Sequence, residues 1–316
     1  MRILANDGIS QSGISALEKE GFEVITTTVA QEQLPNYINE NAIVGLLVRS
    51  ATQVRKDLID ACPSLKLIGR GGVGMDNIDV EYARQKGLHV INTPAASSSS
   101  VAELVFGHLF GGVRFLHDAN RNMPLEGDSN FKKLKKAYAK GIELRGKTLG
   151  VIGFGRIGQA TAKIALGVGM KVVYFDPFIE KASIEVDFFD GQKVSFELQS
   201  SAMESILAEA HFITLHVPAQ KEYVIGKAEF DKMKTGVGIV NAARGGVIDE
   251  VALINAIESG KVAFAGLDVF ESEPSPELKI LMHPNISLSP HIGAATGEAQ
   301  DRIGEELASQ ISTLLK

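Results

Sequence analysis

The feature that most constrains this chain is the hexapeptide Gly153-Phe154-Gly155-Arg156-Ile157-Gly158, together with what flanks it. It follows a short apolar run, Leu149 to Ile152, and opens an apolar helical pattern that continues through Ile164. A GxGxxG between a strand and a helix uses each glycine differently. The first permits a tight turn, the second lets the backbone approach a pyrophosphate, and the third allows close helix–strand packing. The helix N-terminus that follows offers unpaired N–H groups to an anion. Glycine-rich turns alone are common, and the next strand, Lys171 to Phe175, adds specificity by ending at Asp176. An acid about 20 residues beyond the fingerprint can accept both ribose hydroxyls of a dinucleotide while repelling a 2′-phosphate. The expected cofactor is therefore NAD rather than NADP. A turn or capping role for Asp176 is the competing reading.

The strand before the hexapeptide belongs to a series: Thr148 to Ile152, Lys171 to Phe175, His211 to Leu215, Gly238 to Asn241, Ala263 to Leu267 and Ile286 to Leu288. Six strands suit a doubly wound dinucleotide domain. An earlier series, Met1 to Ala5, Glu23 to Thr27, Ile43 to Val48, Leu65 to Gly69 and His89 to Asn92, alternates with helical patterns in the same way. Such alternation predicts parallel strands with crossover helices. The fold class is thus α/β, with two Rossmann-like doubly wound parallel-sheet domains, and 316 residues is the length of about two domains. The pattern breaks at Pro94 to Ser100, and Val101, Leu104, Val105, Leu109 and Phe110 then repeat at helical spacing. Ser100 and Glu103 have capping-box spacing, which predicts that a bridging helix starts there. Glu298 to Leu315 reads as an amphipathic closing helix that returns to the first domain. Val186 to Leu198 reads as a hairpin around Asp190-Gly191.

Composition excludes several classes. Hydrophobic residues make up 45% of the chain, enough for ordinary cores. The net charge is −6, from 32 Lys and Arg against 38 Asp and Glu, with no basic arm, so a nucleic-acid partner is not expected. No apolar stretch is long enough to span a bilayer, and the start MRILANDGIS lacks a targeting pattern. The single cysteine, Cys62, has no partner for an internal disulfide or a metal knuckle, and no basic neighbour closer than Lys66 to activate it. The expectation is a cytoplasmic protein without a metal.

Three further segments each follow an expected strand: Asn241-Ala242-Ala243-Arg244-Gly245-Gly246, Gly266 to Pro274, and Ser289-Pro290-His291-Ile292-Gly293. Loops beyond the carboxyl ends of strands are where an open α/β sheet places its ligand. An arginine can hold a carboxylate by bidentate pairing, and a histidine can take a hydroxyl proton near neutral pH. A neighbouring acid orients the imidazole and favours its protonated form. Taken singly, each residue has an ordinary structural explanation: Arg244 in a surface ion pair with Asp249, Glu273 as a solvated loop charge, His291 as a core histidine. Their order beside a dinucleotide fingerprint favours the chemical reading.

GFGRIG, NAARGGVIDE, GLDVFESEP and SPHIGAAT, in this order, resemble the NAD-dependent D-2-hydroxyacid dehydrogenases, over about Leu47 to about Glu306. The resemblance implies that Arg244 binds the substrate carboxylate, Glu273 pairs with the histidine, and His291 is the acid/base. It also implies that Asp268 faces the nicotinamide carboxamide. Further cofactor contacts are implied at Val73, Gly153, Gly155, Arg156, Ile157, Gly158, Asp176, His216, Val217, Pro218, Ala242, Ala243, Arg244, His291, Gly293 and Ala294. For His216 the residues favour packing beneath the cofactor loop over catalysis. The implied domains are a discontinuous substrate domain, 1–97 with 287–316, and an NAD domain, 98–286, around a closing cleft.

Leu47 to Thr52 and Gly69 to Asp79 are most similar to the D-3-phosphoglycerate dehydrogenases within that family. This implies oxidation of 3-phospho-D-glycerate to 3-phosphohydroxypyruvate, the entry to serine biosynthesis. Substrate contacts are expected at Arg49, Ser50, Arg70, Gly72, Val73 and Arg244. Arg49 and Arg70 are two guanidinium groups beyond the one a carboxylate needs, and the amides of Gly72, Val73 and Gly74 form a candidate anion nest. Bracing within the protein is the plainer role for both arginines. Hydroxypyruvate or glyoxylate reduction is the alternative within the family, and a dinucleotide-sensing corepressor-like protein is the alternative outside catalysis. A homodimer or higher homo-oligomer is the family expectation. Lys132, Lys133, Lys135, Lys136 and Lys140 form a basic run that reads first as a solvated face. Reach of Lys135 or Lys136 to a partner subunit's substrate is the sharper reading. The chain resembles a short form without a C-terminal regulatory domain, so no inhibition by serine is expected.

Overall fold

The apolar runs form strands, and every pairing within the two large sheets is parallel. The computed structural model describes residues 1–316 and divides into two units, Met1–Ser100 with Ala294–Lys316, and Val101–Gly293. The α/β class with two parallel-sheet domains is as the strand pattern predicts.

The first unit holds β1 (Arg2–Ala5), β2 (Glu23–Ile25), β3 (Ile43–Val48), β4 (Leu67–Arg70) and β5 (His89–Asn92), in the order β2-β1-β3-β4-β5. Strand β3 is almost wholly apolar, as a central strand buried on both faces must be. The closing helix, Gly297–Leu315, buries Ile303, Leu307 and Ile311 and packs against the helix Gln11–Lys19. Gly13 and Gly304 meet where the two cross. A Cβ on Gly13 would lie 2.7 Å from the Gly304 Cα, and one on Gly304 would lie 2.2 Å from the Ser10 Oγ. Gly304→Val is therefore expected to destabilise the fold by about 1–3 kcal/mol through overpacking. An unchanged urea midpoint would show that the helices can part without cost.

The bridging helix spans Ser98–Val113, so it starts before the capping-box spacing of Ser100 and Glu103 places it. Ser100 lies inside the first turn, and its hydroxyl instead bonds the Thr296 Oγ1 at 2.8 Å. Thr296 itself caps the closing helix by accepting from the Ala299 N–H. The chain passes between units after Ser100 and again after Gly293. The second passage falls later than the 286/287 boundary because β13 and the loop that follows it stay with the larger sheet.

The second unit holds β6 (Thr148–Ile152), β7 (Lys171–Phe175), β8 (Lys181–Asp187), β9 (Lys193–Gln199), β10 (Phe212–Leu215), β11 (Val237–Asn241), β12 (Val262–Leu267) and β13 (Ile286–Leu288). Six of these form one sheet, β13-β12-β11-β10-β6-β7, whose order reverses beside β6. A ligand site belongs at such a switch point, off the carboxyl ends of the strands. Strands β8 and β9 make the antiparallel hairpin, which is longer than the sequence suggests. Lys181–Asp187 is polar at alternate positions, yet Ile184 and Val186 are buried, and Lys163 on the helix Arg156–Val168 pairs with Asp187. After the hairpin, Ser200 makes an isolated parallel bridge to Tyr174 of β7. No helix is long and apolar enough to cross a membrane.

Candidate active site

The turn after β6 shows why three glycines stand there. Gly153 has φ of 89°, and a Cβ on it would lie 2.5 Å from the His216 carbonyl oxygen. A Cβ on Gly158 would lie 2.3 Å from the Gly153 carbonyl oxygen, so the helix Arg156–Val168 could not pack so closely on the strand. Gly155 differs: it is the N-cap, and a Cβ there would meet nothing within 4 Å. That open cradle of backbone at a helix N-terminus, with Arg156 and Ile157 opening the helix, fits the pyrophosphate of NAD.

Asp176 is half-buried at the end of β7 and does two jobs. Its Oδ2 accepts from the Phe154 N–H at 2.7 Å, and its Oδ1 accepts from Phe178 and Ile179 at 2.8 and 3.0 Å. The turn role is therefore real, and the same bonds hold a carboxylate beside the fingerprint, where a ribose diol needs it. Beneath it the rings of Phe154 and Tyr174 stack at 3.7 Å, tying the glycine turn to β7.

His216 follows β10 and faces inward. Its Nε2 lies 3.2 Å from the Thr161 hydroxyl and 3.1 Å from that of Thr214, while its Nδ1 is buried without a partner. Burial pushes the imidazole pKa down to about 3. This neutral ring packs between Thr161 and Thr214. Val217 lies against Gly153, and Pro218, which follows it, is exposed.

Three loops off neighbouring strands carry the reactive groups. After β11, Asn241 ties its own loop: its amide donates to the Arg244 carbonyl at 2.9 Å, and its Oδ1 accepts from the Ala243 N–H at 3.0 Å. Ala242 and Ala243 are buried beside it. A Cβ on Gly245 would lie 1.8 Å from the Phe270 carbonyl oxygen, so glycine is what brings this loop onto the one after β12. Arg244 Nη1 donates to the Ala243 carbonyl at 2.6 Å. Asp249 caps the helix Glu250–Glu258 through the Ala252 N–H.

After β12, Glu273 Oε1 accepts from the Phe270 N–H at 3.0 Å, and its Oε2 lies 2.8 Å from the His291 Nδ1. Glu273 is thus neither solvated alone nor idle. Paired in this way, Nδ1 donates its proton to the carboxylate, and Nε2 is left to accept one. His291 stands in the left-handed region at φ 55°, and its N–H donates to the Asp268 carbonyl at 2.8 Å. The acid–imidazole pair borders a largely apolar cavity of about 410 Å³, to which Phe270, Pro274, Leu288 and Pro290 contribute.

Asp268 directly follows β12. It is 1% exposed, and its carboxylate faces the loop after β13. Oδ1 accepts from the Ser289 hydroxyl at 2.6 Å and the Ile292 N–H at 2.8 Å, and Oδ2 accepts from the Gly293 N–H at 2.8 Å. With three donors on its two oxygens, it holds the loop that bears His291.

The other expected contacts, Arg49, Ser50, Arg70, Gly72, Val73 and Ala294, belong to the first unit. Asp7 fixes the Arg49 backbone by accepting from the N–H groups of Arg49 and Thr52 at 2.6 and 3.1 Å. The half-buried Arg49 guanidinium has its pKa lowered by desolvation, with Asp7 acting in the opposite sense. Ser50 is exposed. Arg70 curls over its own backbone, Nη1 donating to the Gly71 carbonyl at 3.2 Å, and a Cβ on Gly72 would lie 1.8 Å from that nitrogen. The Gly72 N–H already donates to the Arg70 carbonyl, so it is not available to the expected anion nest. Val73 is exposed, and the Ala294 carbonyl accepts from Gln300 at 2.7 Å. Lys132, Lys133, Lys135 and Lys136 are exposed on the helix Phe131–Ala137, and Lys140 is exposed just beyond it. Sequence reasoning did not find Asp7, Asn241 or Ser289, which hold the reactive groups rather than being them.

Comparison with known proteins agrees with this chemistry. Residues 106–293 match the D-isomer specific 2-hydroxyacid dehydrogenase, NAD binding domain. The chain is 43% identical to a hydroxypyruvate reductase of Thermotoga maritima, over 98% of this chain and 97% of that one. It is 41% identical to a D-3-phosphoglycerate dehydrogenase of Archaeoglobus fulgidus over its whole length, which spans 58% of that relative. A glyoxylate reductase from Paecilomyes thermophila has a similar structure, with TM-score 0.81, 28% identity and coverage of 100% and 95% of the two chains. A dinucleotide cradle, an acid–imidazole pair and an arginine on adjacent strand ends thus have their family: this chain is a member of the NAD-dependent D-isomer specific 2-hydroxyacid dehydrogenases.

Proposed function

We propose that this protein oxidises 3-phospho-D-glycerate to 3-phosphohydroxypyruvate reversibly with NAD. The observation that carries the reaction type is the 2.8 Å bond between Glu273 and His291 Nδ1, with Arg244 on the neighbouring loop. Arg244 pairs with the substrate's C1 carboxylate and fixes the orientation of C2. His291 Nε2 takes the C2 hydroxyl proton, and the resulting imidazolium is stabilised by the Glu273 carboxylate. Gly155, the first turn of the helix that follows and Asp176 would hold NAD, which when bound would supply the acceptor for the C2 hydride. In the reverse direction His291 returns the proton to the carbonyl oxygen.

Arg49 supports the phosphorylated substrate. A half-buried guanidinium whose charge is disfavoured by desolvation gains most from a bound anion. The phosphate therefore rests on Arg49 first, since Arg70 is engaged with its own backbone. Hydroxypyruvate reduction is the second reading, favoured by the near full-length similarity to the Thermotoga reductase. Both readings describe a cytoplasmic homodimer, for which the exposed Leu116, Met123, Leu125 and Phe131 supply apolar surface.

The test is NADH absorbance at neutral pH with 3-phosphohydroxypyruvate, hydroxypyruvate, glyoxylate and 2-oxoglutarate in parallel. A kcat/KM at least about tenfold higher for the phosphorylated acid, equivalent to about 1.4 kcal/mol, is expected. Equal or better turnover of hydroxypyruvate or glyoxylate would keep His291, Glu273 and Arg244 in their roles and remove the phosphate from Arg49. No turnover of any of the four would turn attention to the corepressor-like reading.

A further inference from the structure

His108 is a buried histidine, 4% exposed, on the helix Ser98–Val113, and the reaction as derived does not use it. It reaches β13 by crossing β12 at a residue with no side chain: a Cβ on Gly266 would lie 2.6 Å from the His108 Cβ. Both ring nitrogens find hydroxyls, Nδ1 that of Ser287 and Nε2 that of Ser289, each at 2.9 Å.

The direction of these bonds follows from the one after them. Ser289 has a single hydroxyl proton, and it goes to Asp268 Oδ1 at 2.6 Å. The Ser289 oxygen must therefore accept from His108 Nε2–H, which leaves Nδ1 to accept from Ser287. Burial pushes the His108 pKa down, with Asp268 opposing and His117 reinforcing, so the ring is held in the neutral form this arrangement needs. The chain of bonds ends on His291 and the two residues after it. Asp268 takes the Ile292 and Gly293 N–H groups on its side chain and the His291 N–H on its carbonyl. His291 itself sits in a left-handed backbone conformation that an ordinary side chain adopts only when its surroundings impose it.

We propose that His108 is a positioning residue for catalysis: acting through Ser289 and Asp268, it fixes the loop on which His291 stands. The inference rests on His291 being the acid/base. A histidine is suited to the task because one neutral ring donates to Ser289 while accepting from Ser287, joining β13 to the loop beyond it. Misplacement of a reacting group by a fraction of an ångström to an ångström costs on the order of ten- to a hundredfold in rate.

The experiment compares His108→Leu, Ser289→Ala, the double variant and His108→Gln, using steady-state kinetics with NADH and the best of the four oxo acids. NADH affinity is read in parallel by fluorescence. His108→Leu and Ser289→Ala are each expected to lower kcat by about tenfold or more, with NADH Kd and substrate KM within twofold of the parent. The double variant should be no slower than the slower single one, because both act along one route. His108→Gln, which can still donate and accept, should restore most of kcat. A kcat for His108→Leu within twofold of the parent, fully multiplicative losses, or a loss confined to NADH Kd would each overturn the proposal. If His108→Leu does not fold, Ser289→Ala decides alone: unchanged kcat overturns the proposal. His291→Ala separates the two ideas. Its collapse beside an unaffected His108→Leu removes only the positioning role, whereas an active His291→Ala removes the reading on which that role rests.

Discussion

His291→Ala is expected to lose about 10² to 10⁴ in kcat, the range a positioned general acid/base contributes. The physical argument is local. Glu273 Oε2 holds Nδ1 at 2.8 Å, so the ring has one defined tautomer and its other nitrogen is free to receive a proton. The ring is also partly exposed, its side chain 42% accessible, so substrate can reach it. NADH affinity should stay within twofold, because the cradle at Gly155 and the carboxylate at Asp176 are formed by other residues. The two quantities are separable by steady-state assay and fluorescence titration. A near-parental kcat would move the acid/base role elsewhere, and a parallel loss of NADH binding would make His291 a structural residue.

Mild acid should weaken the fold through His216. The imidazole pKa is ordinarily near 6.5 and is pushed down to about 3 by burial. Because the folded state resists a proton that the unfolded chain takes readily, the contribution is fully present above about pH 6.5 and is lost progressively as pH falls toward 3. At pH 5 the loss is about 2 kcal/mol, roughly thirtyfold in the folding equilibrium. The pKa values of His108 and His211 are also lowered, by burial first, and act with the same sign. Urea midpoints at pH 7 and pH 5, measured for the parent and for His216→Gln, isolate the one residue. The parent should lose more stability across that interval than the variant, and equal losses would show that the ring is solvated in the folded state.

What was legible in the sequence was what repeats or what chemistry requires. A strand such as Ile43 to Val48 is visible because a central parallel strand needs uninterrupted apolar residues. Gly153 and Gly158 are visible because a side chain there would strike backbone, and Gly155 because a pyrophosphate needs its backbone bare. Arg244, Glu273 and His291 stand out as reactive groups in loops that follow strands. The supporting residues carried no such mark. The motif marks Asp268 as a residue near the cofactor, while the three donors that tie it to the loop after β13 are a tertiary fact. His108 lies in an apolar helix and gains meaning only through Gly266, a residue more than 150 positions away in the sequence. The helix start was misplaced because Ser98 and Ser100 are chemically alike, and only Thr296 decides what the second one does. For Arg70 both an anion contact and a bracing role are open in the sequence, because nothing local shows that its guanidinium folds back over Gly71 and Gly72.

The bonds at Asp176 bear on attempts to re-engineer the coenzyme. Exchanging this acid for a small neutral residue is the natural first move toward NADP, since it removes the charge that opposes a 2′-phosphate. Here the same carboxylate is also the acceptor for three backbone amides, those of Phe154, Phe178 and Ile179. Coenzyme preference and the shape of the loop are thus written in one side chain. A redesign that neutralises it must supply a new acceptor for Phe154 in particular, because that amide lies within the fingerprint itself. Designs that keep an acceptor at this position and add a cation nearby start from an intact turn.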